Sequence, residues 1–173
     1  LFPYTTLFRS PAFLYVAPKH ADQARAALSG WMGHAKPFAF DLGYQPADGV
    51  ERMRVGTPPV LAMAALEASL DIWDRVDMGE VRARSLALGD LLIAEIARRC
   101  PSLRLVTPPA HAQRGSQVSF AFAGGYAAMQ ALIARGVIGD FRAPDIMRFG
   151  ITPLYIGEAE VLKAAEIIEE VIN

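Results

Sequence analysis

The sequence has one cysteine, three lysines and a formal net charge of −1. A single thiol, Cys100, permits no intrachain disulfide and no thiolate metal cluster. The three histidines, at 20, 34 and 111, lack metal-ligand spacing, so each reads as a surface or structural imidazole and no metal site is expected. The near-zero charge leaves no clustered Lys/Arg footprint for nucleic acid or an anionic membrane surface. No run approaches the roughly 18 apolar residues of a membrane-spanning helix, and the apolar first residues lack the charged segment of a secretory signal. A cytoplasmic setting is expected. Also missing are GxSxG, HExxH, a phosphate loop ending GK[ST] and GxGxxG.

What is present is a chain able to bury a core. Of 173 residues, 53% are hydrophobic and 20% charged, far from the signature of disorder. PAFLYV, at 11–16, reads as a buried strand, and KHADQARAALS, at 19–29, as a short helix stopped by Gly30. From Trp31 to Val55 the chain mixes glycine, proline and aromatics, which predicts an irregular but anchored loop. Thr57 followed by Pro58 is a helix start signal, with Leu61, Ala65, Ala68 and Ile72 on one face. A second helix is expected from about Gly79 to Arg99, with Val81, Leu88, Leu92 and Ile96 as its stripe. Strand candidates at 103–106, 116–122, 136–141 and 146–152 then alternate with a helix at about 125–135. Glu158–Ile172 closes the chain as a helix with Val161, Leu162, Ala165, Ile168 and Ile172 inward. This order indicates an α+β unit, a small sheet covered by helices.

Three clusters stand out from packing alone. SGWMGH, at 29–34, sets Trp31 between two glycines, either as an aromatic plug or as an indole donor for a polar ligand. RVGTPP, at 54–59, opens a helix, where Thr57 is either a plain cap or a donor to phosphate. In FRAPDIMRFGITPLY, at 141–155, Arg148 falls in an apolar, strand-like context, which calls for an anionic partner. That partner is either Asp140 or Asp145 in an ion pair, or a carboxylate ligand matched to the guanidinium fork.

Taken together, PAFLYVAPKH, LSGWMGHAKPFAFD, GVERMRVGTPPVLAMAALEASLDIW, RGSQVSF and ALIARGVIGDFRAPDIMRFGITPLY resemble the C-terminal portion of bacterial kynureninases, in order and with spacing intact from Pro11 onward. The resemblance implies an α/β fold-type-I pyridoxal 5′-phosphate enzyme, a homodimer with active sites at the subunit interface. It further implies hydrolysis of L-kynurenine, or its 3-hydroxy form, to anthranilate, or 3-hydroxyanthranilate, and L-alanine, in tryptophan breakdown or nicotinamide cofactor synthesis. It assigns Trp31 and Thr57 to the cofactor phosphate and Arg148 to the substrate α-carboxylate. Met32 and Thr57 match positions near the substrate's aromatic ring.

The resemblance also implies a boundary, with 11–75 the end of the large cofactor-binding domain and 76–173 the small C-terminal domain. The family's Schiff-base lysine belongs a few residues before PAFLYV. Here that stretch reads LFPYTTLFRS, without lysine, and resembles translated sequencing-adapter read-through, so residues 1–10 are expected to be non-native. No catalytic residue is then expected in the chain, and alone it should be inactive. The competing reading is a non-catalytic amino-acid-binding or regulatory α+β module in which Arg148 holds a carboxylate without cofactor.

Overall fold

The structure, a computed structural model, describes residues 13–173, which fall into two compact units, 13–72 and Trp73–Asn173. The expected non-native segment 1–10 lies outside the described residues. No helix among them is long and apolar enough to cross a membrane, and no group of three His, Cys, Asp or Glu side chains among them could hold a metal ion.

In the second unit the helices and strands follow from patterning. Helix α3, Met78–Arg99, starts at Asp77, whose Oδ1 accepts the Glu80 N–H at 2.9 Å. Its residues Leu88, Leu92 and Ile96 recur every four positions and are fully buried. Four antiparallel strands, β1 (Arg104–Leu105), β2 (Gln117–Ala121), β3 (Asp140–Arg142) and β4 (Ile146–Gly150), form a sheet in the order β1-β2-β4-β3. Val118 and Phe120 of β2 face Phe149 and Met147 of β4 in register, so all four point to one face. Onto that face pack α3, α4 (Gly125–Ala134) and α5 (Glu158–Ile172), contributing Met129, Leu132, Val161, Ala165 and Ile168 to one buried cluster. The result is a two-layer α+β fold.

One expected strand is shorter than its apolar run. Helix α4 ends in a Schellman motif: the Val137 N–H reaches the Leu132 carbonyl at 2.9 Å and the Gly136 N–H reaches Ile133 at 3.0 Å. Gly136 takes φ +87°, which a residue with a Cβ rarely adopts. The segment from 136 is therefore a helix cap first, and pairing begins only at Asp140.

Residues 13–72 form no β-strand, only a single bridge between His34 and Pro46. Residues 13–16 run without sheet pairing, and Phe13, Leu14 and Tyr15 are exposed, so the strand expected at 11–16 has no partner among the described residues. The helix expected over 19–29 is one turn, α1, Pro18–Ala21. Its continuation is diverted because the Arg52 guanidinium draws off the carbonyls of Asp22 (2.9 Å) and Ala24 (3.4 Å), which a helix would have used internally. The next helix, α2, spans Val60–Leu70 rather than starting at Pro58. Pro59 disfavours the α conformation at Pro58, so Pro58 is not the first helical residue, Thr57 is no cap, and the first turn closes from Met63 N–H to the Pro59 carbonyl at 2.9 Å. The stripe expected on α2 buries nothing: apart from Glu67 and Ser69 this helix is apolar around its circumference, and no residue of it is buried.

Candidate functional site

Residues 29–55 make a loop held by its own polar groups. Trp31–Gly33 form a 3-10 turn, and the His34 Nδ1 accepts the Lys36 N–H at 2.9 Å while Nε2 lies 3.1 Å from the Gly43 carbonyl. With Nδ1 accepting, Nε2 is left to donate to the Gly43 carbonyl, so His34 clasps the loop at both ring nitrogens. The Tyr44 hydroxyl donates to the Gly33 carbonyl at 3.0 Å and its ring meets His34 edge-on. Arg52 Nε donates to the Ala47 carbonyl at 3.0 Å.

The two glycines around Trp31 allow the turn to lie directly on the chain that leads to Thr57. A Cβ on Gly30 would fall inside the Val55 carbonyl group, and one on Gly33 would stand 2.6 and 2.7 Å from the carbonyl oxygens of Arg54 and Arg52. The clusters SGWMGH and RVGTPP are thus one packed feature. Trp31 is 47% exposed, its ring set edge-on against Phe38 at 5.6 Å; Met32 is half-buried and Thr57 exposed. Trp31 brings an indole N–H to this feature and Thr57, two residues beyond Val55, a hydroxyl, both neutral donors. Lys19 and Lys36 are exposed, and Lys163 pairs with Glu166 at 3.1 Å on α5.

Arg148 belongs to the other unit, on β4, facing away from the helical layer between Met147 and Phe149. Its Nη2 donates to Asp140 Oδ2, and Asp140 stands opposite it on β3. The ion-pair partner is therefore Asp140. The same carboxylate oxygen lies 3.2 Å from Arg142 Nη2. Arg148 Nε is buried with no hydrogen-bond partner among the described residues. On the other side Ser119 of β2 pairs with Arg148 in register, so Ser119, Arg148 and Asp140 form a polar row across three strands.

The loop before β2 is pinned by a second set of polar contacts. Arg114, with its side chain 2% exposed, donates to Asp90 on α3, and His111 Nε2 lies 2.8 Å from the other Asp90 oxygen. Arg82 donates to the carbonyls of His111 (2.7 Å) and Arg114 (2.8 Å), and Ser85 bonds to Ser116 at 2.7 Å. The hydrogen bond from Arg114 holds the Asp90 carboxyl below its ordinary range against the opposing effect of burial, and the bond from His111 adds a lesser pull in the same direction as Arg114. This clip anchors the segment leading into β2 on α3. Sequence reasoning singled out neither Arg114 nor Ser119, because both matter through partners distant in sequence.

The chain matches the profile described as the kynureninase C-terminal domain over residues 81–168, just over half its length. The chain belongs to the kynureninase family. Kynureninases of Deinococcus radiodurans and Pseudomonas fluorescens are 50% and 48% identical to it, each over 95% of this chain. It spans only 40% of the length of those relatives. Among solved structures, a cysteine desulfurase from Thermococcus onnurineus superposes over 91% of this chain and 42% of its own, at 17% identity and a TM-score of 0.75. One from Escherichia coli does so over 91% and 41%, at 21% identity and 0.72. These likenesses carry the fold, that of the C-terminal part of fold-type-I enzymes.

Proposed function

We propose that this chain supplies the cofactor-phosphate contacts and the substrate-carboxylate contact of a kynureninase. The parent enzyme would hydrolyse L-kynurenine, and its 3-hydroxy form where the ring contacts allow, to anthranilate or 3-hydroxyanthranilate and L-alanine. Bound pyridoxal phosphate supplies the electron sink for cleavage of the carbon–carbon bond. Trp31 and Thr57 would donate to its phosphate from one fixed loop. Arg148 would hold the α-carboxylate by two parallel hydrogen bonds, and Met32 and Thr57 would contact the aromatic ring. The observation that best supports this reading is the seating of the Trp31 turn on the chain entering Thr57, which only glycine at 30 and 33 permits.

In this reading 11–75 ends the large domain, 76–173 is the small one, and the intact enzyme is a cytoplasmic homodimer. The chain alone turns over no kynurenine, because none of Lys19, Lys36 and Lys163 stands where the family keeps its cofactor lysine. The test joins residues 11–173 to the upstream three-fifths of the Deinococcus radiodurans kynureninase and follows anthranilate fluorescence. The fusion should produce anthranilate and the chain alone none. Trp31→Phe, which deletes one donor to an anion, should lower cofactor affinity about tenfold. A folded, cofactor-loaded fusion without activity, or turnover by the chain alone, contradicts the proposal.

A further inference from the structure

The geometry points to Asp140 as a positioning residue that sets the charge selectivity of Arg148, making the site prefer a monoanionic carboxylate over a dianion. This rests on the assignment of Arg148 to a carboxylate. Asp140 is nearly buried, its side chain 12% exposed, and it stands across the β3–β4 ladder from Arg148. Its Oδ2 accepts from Arg148 and also pairs with Arg142 at 3.2 Å, so one carboxylate serves two guanidinium groups.

Two consequences follow. The three groups together carry one net positive charge, which a single carboxylate neutralises; without Asp140 the pair of arginines would carry two and would suit sulfate or phosphate as well. The bond from Asp140 to Nη2 also fixes the rotation of the guanidinium, whose side chain is 27% exposed and whose Nε is buried without a partner among the described residues. Ser119 on the opposite strand is short and engaged with Gln117 at 3.1 Å, so it does not compete for the fork. The carboxylate on β3 is the group that keeps Arg148 aimed.

Asp140 would act through Arg148 rather than on substrate, and the two roles separate in a labelling experiment. The full chain is treated with phenylglyoxal at constant ionic strength, and modification of Arg148 is read by peptide mass spectrometry against the exposed Arg104. Propionate and sulfate are the competing anions. In the unmodified sequence propionate should slow labelling of Arg148 at a concentration about tenfold lower than sulfate requires, the size expected when one charge-assisted contact decides. Asp140→Asn should bring the two concentrations to within about twofold, and Asp140→Glu should restore the preference. A merely structural role would alter protection by both anions alike. A propionate preference that survives Asp140→Asn overturns the role of Asp140 alone. If propionate never protects Arg148 in the unmodified sequence, the carboxylate assignment falls and this role falls with it.

Discussion

The units Trp73–Asn173 and 13–72 are built on opposite terms. In the first, side chains from three helices and two strands bury one another: Leu88, Ile96, Phe120, Met129, Leu132, Met147 and Ile168 are all under 2% exposed. In the second, only Gly33 and His34 are buried, while Phe13, Phe40, Leu42 and Leu61 stand open. The first draws its order from the hydrophobic effect acting within about 100 residues. The second has its shape from backbone clasps, His34, Tyr44 and Arg52 on carbonyls, and leaves its apolar side chains exposed. A unit with a core can be read from its own residues; a unit of loops and an exposed, mostly apolar helix cannot.

The comparison is broken most sharply by truncation. Ile168→Ala removes a fully buried side chain and should cost roughly 2–5 kcal/mol, seen as a lower denaturation midpoint for Trp73–Asn173. Leu61→Ala, at a position 89% exposed, should change stability by less than about 0.5 kcal/mol. Equal losses would erase the contrast. Next in size is Gly30→Ala, whose methyl group displaces the Val55 carbonyl and should cost about 1–3 kcal/mol locally. Cofactor affinity of the fusion should fall while the melting of Trp73–Asn173 stays put.

Arg114→Ala should destabilise the Trp73–Asn173 unit by about 1–3 kcal/mol, because the guanidinium is buried although its partner Asp90 is half-exposed and partly screened. The effect should appear in thermal melts of that unit alone. The smallest effect is on pH. Asp90 is held low by Arg114, Glu95 by Arg99 and then Arg98, and Glu170 by Arg135. Their folded values lie below the ordinary 3.8 and 4.5, so the unfolded chain binds the extra protons. Their stabilisation is complete above those values and is lost as pH falls through the folded ones. Acid titration of the melting midpoint should show a decline confined to that window, and a midpoint indifferent to pH there would contradict it.

The sequence announced the self-sufficient unit better than the other. Helix α3 and helix α5 were legible because Leu88, Leu92 and Ile96, and Val161, Ala165 and Ile168, repeat at the spacing of one helical face. The strands around Val118 and Met147 were legible from short branched and aromatic runs. Where the reading missed, a rule acting at a distance of one or many residues had won: Pro59 delayed the helix expected at Thr57, Gly136 capped a helix inside an expected strand, and Arg52 took carbonyls that a helix over 19–29 needed. For the candidate site, Trp31, Thr57 and Arg148 were noticed as unusual residues in unusual settings. Asp140 was visible only as one of two partners for Arg148, since choosing between it and Asp145 requires the β3–β4 register.

The contrast between the two units is tested most directly by hydrogen exchange of the full chain at low concentration, read peptide by peptide. Amides of α3, β2, β4 and α5 should exchange slowly and together, as a cooperative unit with a buried core does, while those of α2 and 13–29 should exchange within the dead time of the measurement. Protection of α2 equal to that of α3 in the monomer would contradict the account.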